Sequence, residues 1–229
     1  EKMVMNILFL TGNLGIGGTE LYALDFAKSM KQNGHKVFWA SIKNGPMHSI
    51  AKEEDIDLLH CSFEKRTPVH FTFAVKQLRK ICKGKNIQII HAIDAYTALV
   101  AVNAFKKKKN KPKLMWSSVG IGSRSYSLLR KLCARDLDCI IAPSHFIRNR
   151  MIEEGFNPEK IVVYSQSRPM KACKQERDIL RTQFGLNNTD FVIGTMGRVV
   201  HMKGNSTIVR AMYTVVQQYK SAKFLIVGD

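Results

Sequence analysis

The chain has 229 residues, of which 45% are hydrophobic and 9% aromatic, and its 36 Lys and Arg against 18 Asp and Glu give a formal charge of +18. That length holds one large domain, or one domain and part of another, and the apolar content excludes wholesale disorder. The longest apolar runs, such as Ala98–Val102, Cys139–Ala142 and Phe224–Val227, fall far short of the ~20 residues a bilayer-spanning helix needs. No basic stretch followed by an apolar run and a small-residue cleavage site opens the sequence, so a secretory leader is not expected. Cys61, Cys82, Cys133, Cys139 and Cys173 form no C-x-x-C pair and are odd in number. This predicts free thiols in a reducing cytoplasm rather than a disulfide scaffold or a zinc site.

The charge is uneven. Residues 1–60 are close to neutral, whereas residues 61–150 carry nineteen basic and four acidic side chains, a net of +15. The run from Lys106 to Lys113 is its densest part. Such a field suits an anionic partner, whether nucleic acid, lipid headgroups or a phosphorylated substrate; a solvated loop tip is the plain alternative for the lysine run.

In chain order, the pattern alternates short β-type runs with helical stretches. Strands are expected at Asn6–Thr11, Lys36–Ser41, Asp57–Cys61, Ile87–His91, Lys113–Ser118, Asp138–Ala142 and Lys160–Val163. They are continuous apolar runs, as expected where helices cover both faces of a parallel sheet. Helices are expected at Thr19–Asn33, which ends on the stop signal Asn33-Gly34, and at Val69–Cys82, Ala95–Ala104, Ser125–Ala134 and Ser144–Glu154. The class is α/β, a Rossmann-like doubly wound parallel sheet over residues 3–164. Residues 165–172 read as a linker, and 173–229 as the beginning of a second Rossmann-like domain. Its expected parts are a helix at Gln175–Phe184, a strand at Asp190–Met196, a helix at Asn205–Tyr219 and a strand at Lys223–Val227. One βαβ unit cannot cover its own sheet, which implies a truncated or partly supplied domain.

The first strand runs into Gly12-Asn13-Leu14-Gly15-Ile16-Gly17-Gly18-Thr19-Glu20, a glycine-rich turn opening a helix. Backbone N–H groups and the positive helix end make such a turn an anion site. A dinucleotide fingerprint starting at Gly15 meets Glu20 where its third glycine belongs, and strand two supplies no acid for a ribose. A P-loop starting at Gly12 meets Gly18 where its lysine belongs. A backbone-only approach to a phosphate or sugar, and a tight turn that merely packs the helix, both remain open.

His91 and Asp94 fall at the carboxyl edge of the sheet, where open α/β folds bind ligands, and are the candidates for catalysis. Ser144 reads as a helix cap, and His35, His48, His60, His70, His145 and His201 show no ligand spacing. In the second domain, Arg198 and Lys203 share the loop Gly197-Arg198-Val199-Val200-His201-Met202-Lys203-Gly204 ahead of a helix. A planar fork and a point charge beside free amides suit a diphosphate.

Gly17-Gly18-Thr19-Glu20, Ile89-Ile90-His91-Ala92, Ile140-Ile141-Ala142-Pro143-Ser144, the Gly197–Gly204 loop and Leu225-Ile226-Val227-Gly228-Asp229, in that order, resemble a family 4 (group 1) retaining glycosyltransferase of GT-B fold. The resemblance implies two facing Rossmann-like domains. The first takes a saccharide or lipid-linked acceptor, and the second takes most of a UDP- or GDP-sugar donor. It implies Arg198 and Lys203 on the donor diphosphate, with Gly17 and Gly18 approaching from the opposite wall. No metal or other cofactor is implied, because the cations neutralise the leaving group. It further implies front-face displacement with retention, in cell-surface polysaccharide or glycolipid synthesis, at a cytoplasmic location peripheral to the membrane. The chain departs from the pattern in three places. Ile93 stands where the motif often has a second histidine, Ser117-Ser118 where another often follows strand five, and the E-x7-E signature is expected beyond Asp229. The residues alone leave two other readings: a nucleotide-binding enzyme such as a nucleotide-sugar epimerase, or a basic nucleic-acid-binding protein. The second lacks an aromatic-interleaved basic motif, so a nucleic acid partner is not expected.

Overall fold

The computed structural model describes residues 3–42, 45–106, 108–118, 130, 132–165, 167 and 176–228. The chain divides into two compact units, Glu1–Arg168 and Pro169–Asp229.

The first unit holds strands β1 (Asn6–Leu10), β2 (Lys36–Ser41), β3 (Asp57–His60), β4 (Ile89–Ala92), β5 (Lys113–Ser117), β6 (Cys139–Ala142) and β7 (Ile161–Val163). All pair in parallel, in the order β3-β2-β1-β4-β5-β6-β7. Consecutive strands are joined on either side of β1, so the order reverses between β1 and β4. Helices α1 (Gly18–Gln32), α2 (Met47–Glu53), α3 (Pro68–Gly84), α4 (Ala95–Phe105) and α5 (His145–Glu153) lie between them.

The continuity of the apolar runs has its expected meaning in β1, where Ile7, Leu8, Phe9 and Leu10 are all buried. Leu8 and Leu10 face one core with Ala74 and Leu78 of α3, Ala98 and Val102 of α4, and Met151 of α5. Ile7 and Phe9 face a second core with Ala23, Leu24 and Ala27 of α1 and Met47 and Ala51 of α2. Strand period two thus feeds two layers of helices, and each such side chain removed from water contributes ~1.5–3 kcal/mol. Cys61, Cys82 and Cys133 are buried free thiols.

Helix starts follow their caps. The Thr67 hydroxyl accepts from the His70 amide ahead of α3, and Ser144 caps α5 through the Ile147 amide. Two details differ from the sequence reading. Helix α2 was not expected, because seven residues between Pro46 and Asp55 bury only Met47 and Ala51, too few to show a period. Strand β4 lies later than Ile87–His91: the Ile87 amide still closes α3 by bonding the Cys82 carbonyl, and Asn86 turns the chain at φ 49°. His91 is therefore inside the strand, with Ala92 at its end. The helix expected at Ser125–Ala134 falls mostly outside the described residues, as does the linker.

The second unit contains α6 (Arg177–Gln183), β8 (Phe191–Met196), α7 (Asn205–Gln218) and β9 (Ala222–Val227), with β8 and β9 paired in parallel. Among its described residues only Ala222 is buried, while Phe191, Met196 and Tyr213 are exposed. Two strands and one long helix enclose no core.

Candidate functional site

The reversal of strand order between β1 and β4 opens a crevice at their carboxyl ends, the place where open α/β sheets bind ligands. The glycine turn leaves β1 there and is held from several sides. The Gly12 amide donates to Asp94 Oδ2 at 2.8 Å, and Asp94 Oδ1 accepts from the Thr97 amide at 2.9 Å. One carboxylate therefore ties the turn to the start of α4. Thr11 is buried; its hydroxyl accepts from Trp39 Nε1 at 2.8 Å and donates to the Asn13 carbonyl at 2.9 Å. Ser41 donates to the Thr11 carbonyl at 2.9 Å. Further on, the Asn13 side chain accepts from the Gly15 amide and the Leu14 carbonyl from the Met47 amide. Gly45 presses against this carbonyl: a Cβ there would lie 2.5 Å from it.

Past Gly15 the support ends. Ile16 is 62% exposed, Gly18 has open space where a Cβ would be, and no side chain caps α1. Gly17 is the extended N-cap residue. The buried Glu20 carboxylate of the first turn lies against Gly17, where a Cβ would be 2.8 Å from its Oε2, so the backbone open to a ligand on the crevice edge is at Gly18.

His91 is 1% exposed, between Phe9 and Phe26, and Nε2 lies 2.7 Å from the Ser117 hydroxyl. That hydroxyl is 2.9 Å from the Tyr22 hydroxyl, linking β4, β5 and α1 in one buried chain. Burial pulls the His91 pKa down to about 3, so the ring is neutral at physiological pH. Burial likewise raises the Tyr22 phenol, with the Ser117 bond opposing it. Ile93 and Ser118, standing where the family often has histidines, are buried as well.

Two exposed histidines without ligand spacing line one cavity. His48, near the start of α2, and His60, ending β3, line a cavity of about 200 Å³ with Leu14, Ser41 and Leu58, beside the glycine turn. Twelve residues separate them in sequence and neither lies in a motif, so only topology finds the pair.

In the second unit, Arg198 and Lys203 are both exposed on the loop between β8 and α7. The loop is shaped by its glycines: Gly197 at φ 150° and Gly204 at φ 70° take conformations that side chains disfavour. Gly228, after β9, packs on the loop so closely that a Cβ would lie 1.9 Å from the Gly197 carbonyl oxygen. The motif residues at 197 and 228 are thus one contact. Asn205 Nδ2, at the first position of α7, is buried without a hydrogen-bond partner among the described residues.

A seven-stranded parallel sheet of Rossmann type, with a glycine turn at its strand-order reversal and a separate unit presenting two cations, defines an α/β protein of the GT-B glycosyltransferase fold. The sequence model of glycosyltransferase family 4 matches residues 16–165, and the chain belongs to that family. No curated protein matches the chain at a significant level. Among solved structures, HepE of Anabaena, crystallised with UDP and glucose, superimposes with a TM-score of 0.80 at 19% identity over 98% of this chain and 61% of its own. A glycosyltransferase from Rickettsia africae gives 0.76 at 19% identity over 99% of this chain and 61% of its own. The lipopolysaccharide outer core galactosyltransferase WaaB gives 0.66 at 14% identity, covering 98% of this chain and 69% of that one. The chain thus spans about 61% of the length of the first two of these structures.

Proposed function

We propose that this chain is the acceptor-side domain and the first donor-binding loop of a retaining glycosyltransferase that uses a UDP- or GDP-sugar. Family membership supports the reaction class, and the UDP bound in the HepE structure supports the donor class. The observation that carries the reading is the glycine turn at the β1/β4 crevice, shaped by buried or half-buried anchors, with Glu20 against Gly17 and open backbone at Gly18.

In the proposed reaction the acceptor hydroxyl oxygen bonds to the sugar anomeric carbon on the face the nucleotide leaves. The bond from that carbon to the diphosphate oxygen breaks, and the hydroxyl proton passes to a donor phosphate oxygen. Arg198 and Lys203 meet the charge that grows on the leaving diphosphate, without a metal or other cofactor. His91 and Asp94 take positioning roles: His91 is neutral and enclosed, and both oxygens of Asp94 are engaged by backbone amides. The cavity at His48 and His60 is placed to receive the acceptor, a saccharide or lipid-linked saccharide of cell-surface polysaccharide or glycolipid synthesis. The net charge of +15 over residues 61–150 supports a location on an anionic membrane surface as part of this reading.

A thermal-shift and calorimetric panel of UDP, GDP, NAD and short oligonucleotides, on a version carrying the remainder of the second domain, tests the donor class. Selective stabilisation by UDP or GDP is the expected result. Stabilisation by NAD or by oligonucleotides alone would overturn the reading. The anomeric configuration of the product tests retention.

A further inference from the structure

The outward face of α3 has an unusual make-up. Ala74, Val75, Leu78 and Cys82 turn inward. On the opposite side, Val69, Phe73, Lys76, Lys80 and Lys83 follow one another at intervals of four and three, which sets them in one stripe. Val69 is 76% exposed and Phe73 52%, although both could have been polar without loss to the core. The three lysines are exposed and enter none of the ion pairs of the described residues. Residues 65–85 hold seven Lys and Arg and no acid.

The surroundings extend this surface. Helix α4 packs alongside, with Arg79 Nε donating to the Ala104 carbonyl at 2.7 Å, so exposed Lys106, Lys108 and Lys109 follow at the far end of α3. Because α3 leaves the carboxyl end of β3, its apolar tip lies at the same sheet edge as the glycine turn. The helix is 17 residues and therefore about 25 Å long. Among the described residues no helix is long and apolar enough to cross a membrane.

We propose that this stripe of α3 is the surface by which the first unit docks on an anionic lipid bilayer. Val69 and Phe73 enter the headgroup layer, and Lys76, Lys80 and Lys83 pair with lipid phosphates. The inference rests on the membrane location proposed above and names the element responsible. Charge complementarity selects anionic lipid over neutral lipid. Val69 and a single aromatic, Phe73, in line with the lysines favour a membrane over nucleic acid, since stacking successive bases needs several aromatic side chains and both faces of this sheet are covered by helices. Docked in this way, the helix lies along the surface and the crevice opens sideways, alongside the bilayer.

Vesicle sedimentation of the 229-residue chain, using phosphatidylcholine with and without phosphatidylglycerol at about 0.1 M salt, provides the test. Binding to the anionic vesicles alone is expected. Lys76→Gln with Lys80→Gln should lower the partition coefficient roughly 30-fold, at about 1 kcal/mol per lysine. Lys36→Gln with Lys52→Gln removes the same charge away from α3, from the start of β2 and from α2, and should change it much less. Val69→Ser with Phe73→Ser should cost roughly tenfold without altering the melting temperature, because both side chains are exposed. Phe73→Trp should shift its emission to the blue only when anionic vesicles are added. Equal losses from the two lysine pairs, or an unshifted Phe73→Trp, would overturn the α3 assignment and leave the membrane location standing. Failure of the parent chain to sediment, or tighter binding to an oligonucleotide than to vesicles, would overturn both. UDP binding is independent of all these outcomes.

Discussion

The two glycine loops of this chain are built in opposite ways. The turn after β1 is held by buried or half-buried side chains from β2 and from the start of α4, and by the backbone at Gly45 and Met47. The loop after β8 has no such side-chain supports among the described residues. Its shape comes from Gly197, Gly204 and the backbone contact of Gly228, and its polar side chains are exposed. In the first loop a substitution disturbs the fold. In the second, a substitution away from its glycines removes only what the side chain offers a ligand. The same chemistry, backbone amides at a helix start, is thus attached to a rigid mount in one unit and to a lightly packed one in the other.

Acid should separate the two regions most strongly. His91 has its pKa depressed by burial to about 3, against an ordinary value near 6.5, so between those values the unfolded chain binds a proton that the folded chain does not. Its contribution to stability is complete above about pH 6.5 and declines as pH falls towards 3, by about 1.4 kcal/mol per pH unit. Hydrogen exchange across that range should show the first unit opening, while the loop after β8, which buries no histidine among the described residues, changes little, and His91→Gln should flatten the slope. A slope unaltered in His91→Gln would assign it to other groups.

Asp94→Ala removes a helix cap and a charge-assisted bond to Gly12 together, and should cost about 2–4 kcal/mol in urea unfolding. Asp94→Asn retains an acceptor for the Thr97 amide and should cost less. Equal effects would mean that the Gly12 bond contributes little.

Arg198→Ala and Lys203→Ala act on the other loop. In a protein with the full second domain, each should weaken nucleotide-sugar binding or turnover by roughly 10- to 100-fold, the worth of a charge-assisted hydrogen bond. Both should leave stability within about 0.5 kcal/mol, as exposed side chains do. Arg198→Lys should restore only part, since a point charge does not replace a planar fork. Normal turnover in both alanine variants would remove these residues from the donor site.

Gly45→Ala should give the smallest clear effect, a loss of about 1–3 kcal/mol from forcing a methyl against the Leu14 carbonyl, read by thermal denaturation. A neutral result would show that the turn after β1 is less rigid than its bonds suggest.

These contrasts explain what the sequence disclosed. Strands β1 and β2 and helix α4 were legible as continuous apolar runs, and helices α1 and α3 by the spacing of the apolar side chains they bury. Helix α2, with Met47 and Ala51 alone buried, left no such trace. The glycine turn and the Arg198–Lys203 loop were legible as motifs, because backbone geometry dictates glycine in one case and anion chemistry dictates cations in the other. The enclosure of His91 was not legible, since one residue of shift in β4 decides whether a side chain ends a strand or lies inside it. That His48 and His60 line one cavity depends on how the short helix α2 packs in the single connection between β2 and β3, which local sequence does not carry.

The buried thiols of the first unit have a kinetic consequence. Burial pushes Cys61, Cys82 and Cys133 up to about 12. At neutral pH only about one in a hundred thousand of each is the reactive thiolate. An alkylating or disulfide reagent will therefore modify them at the rate at which the protein opens around them. Cys61 reports on the end of β3, and Cys82 on the last turns of α3. The wild-type chain thus carries its own clocks for local opening, one beneath the crevice edge and one beneath the lysine-bearing helix.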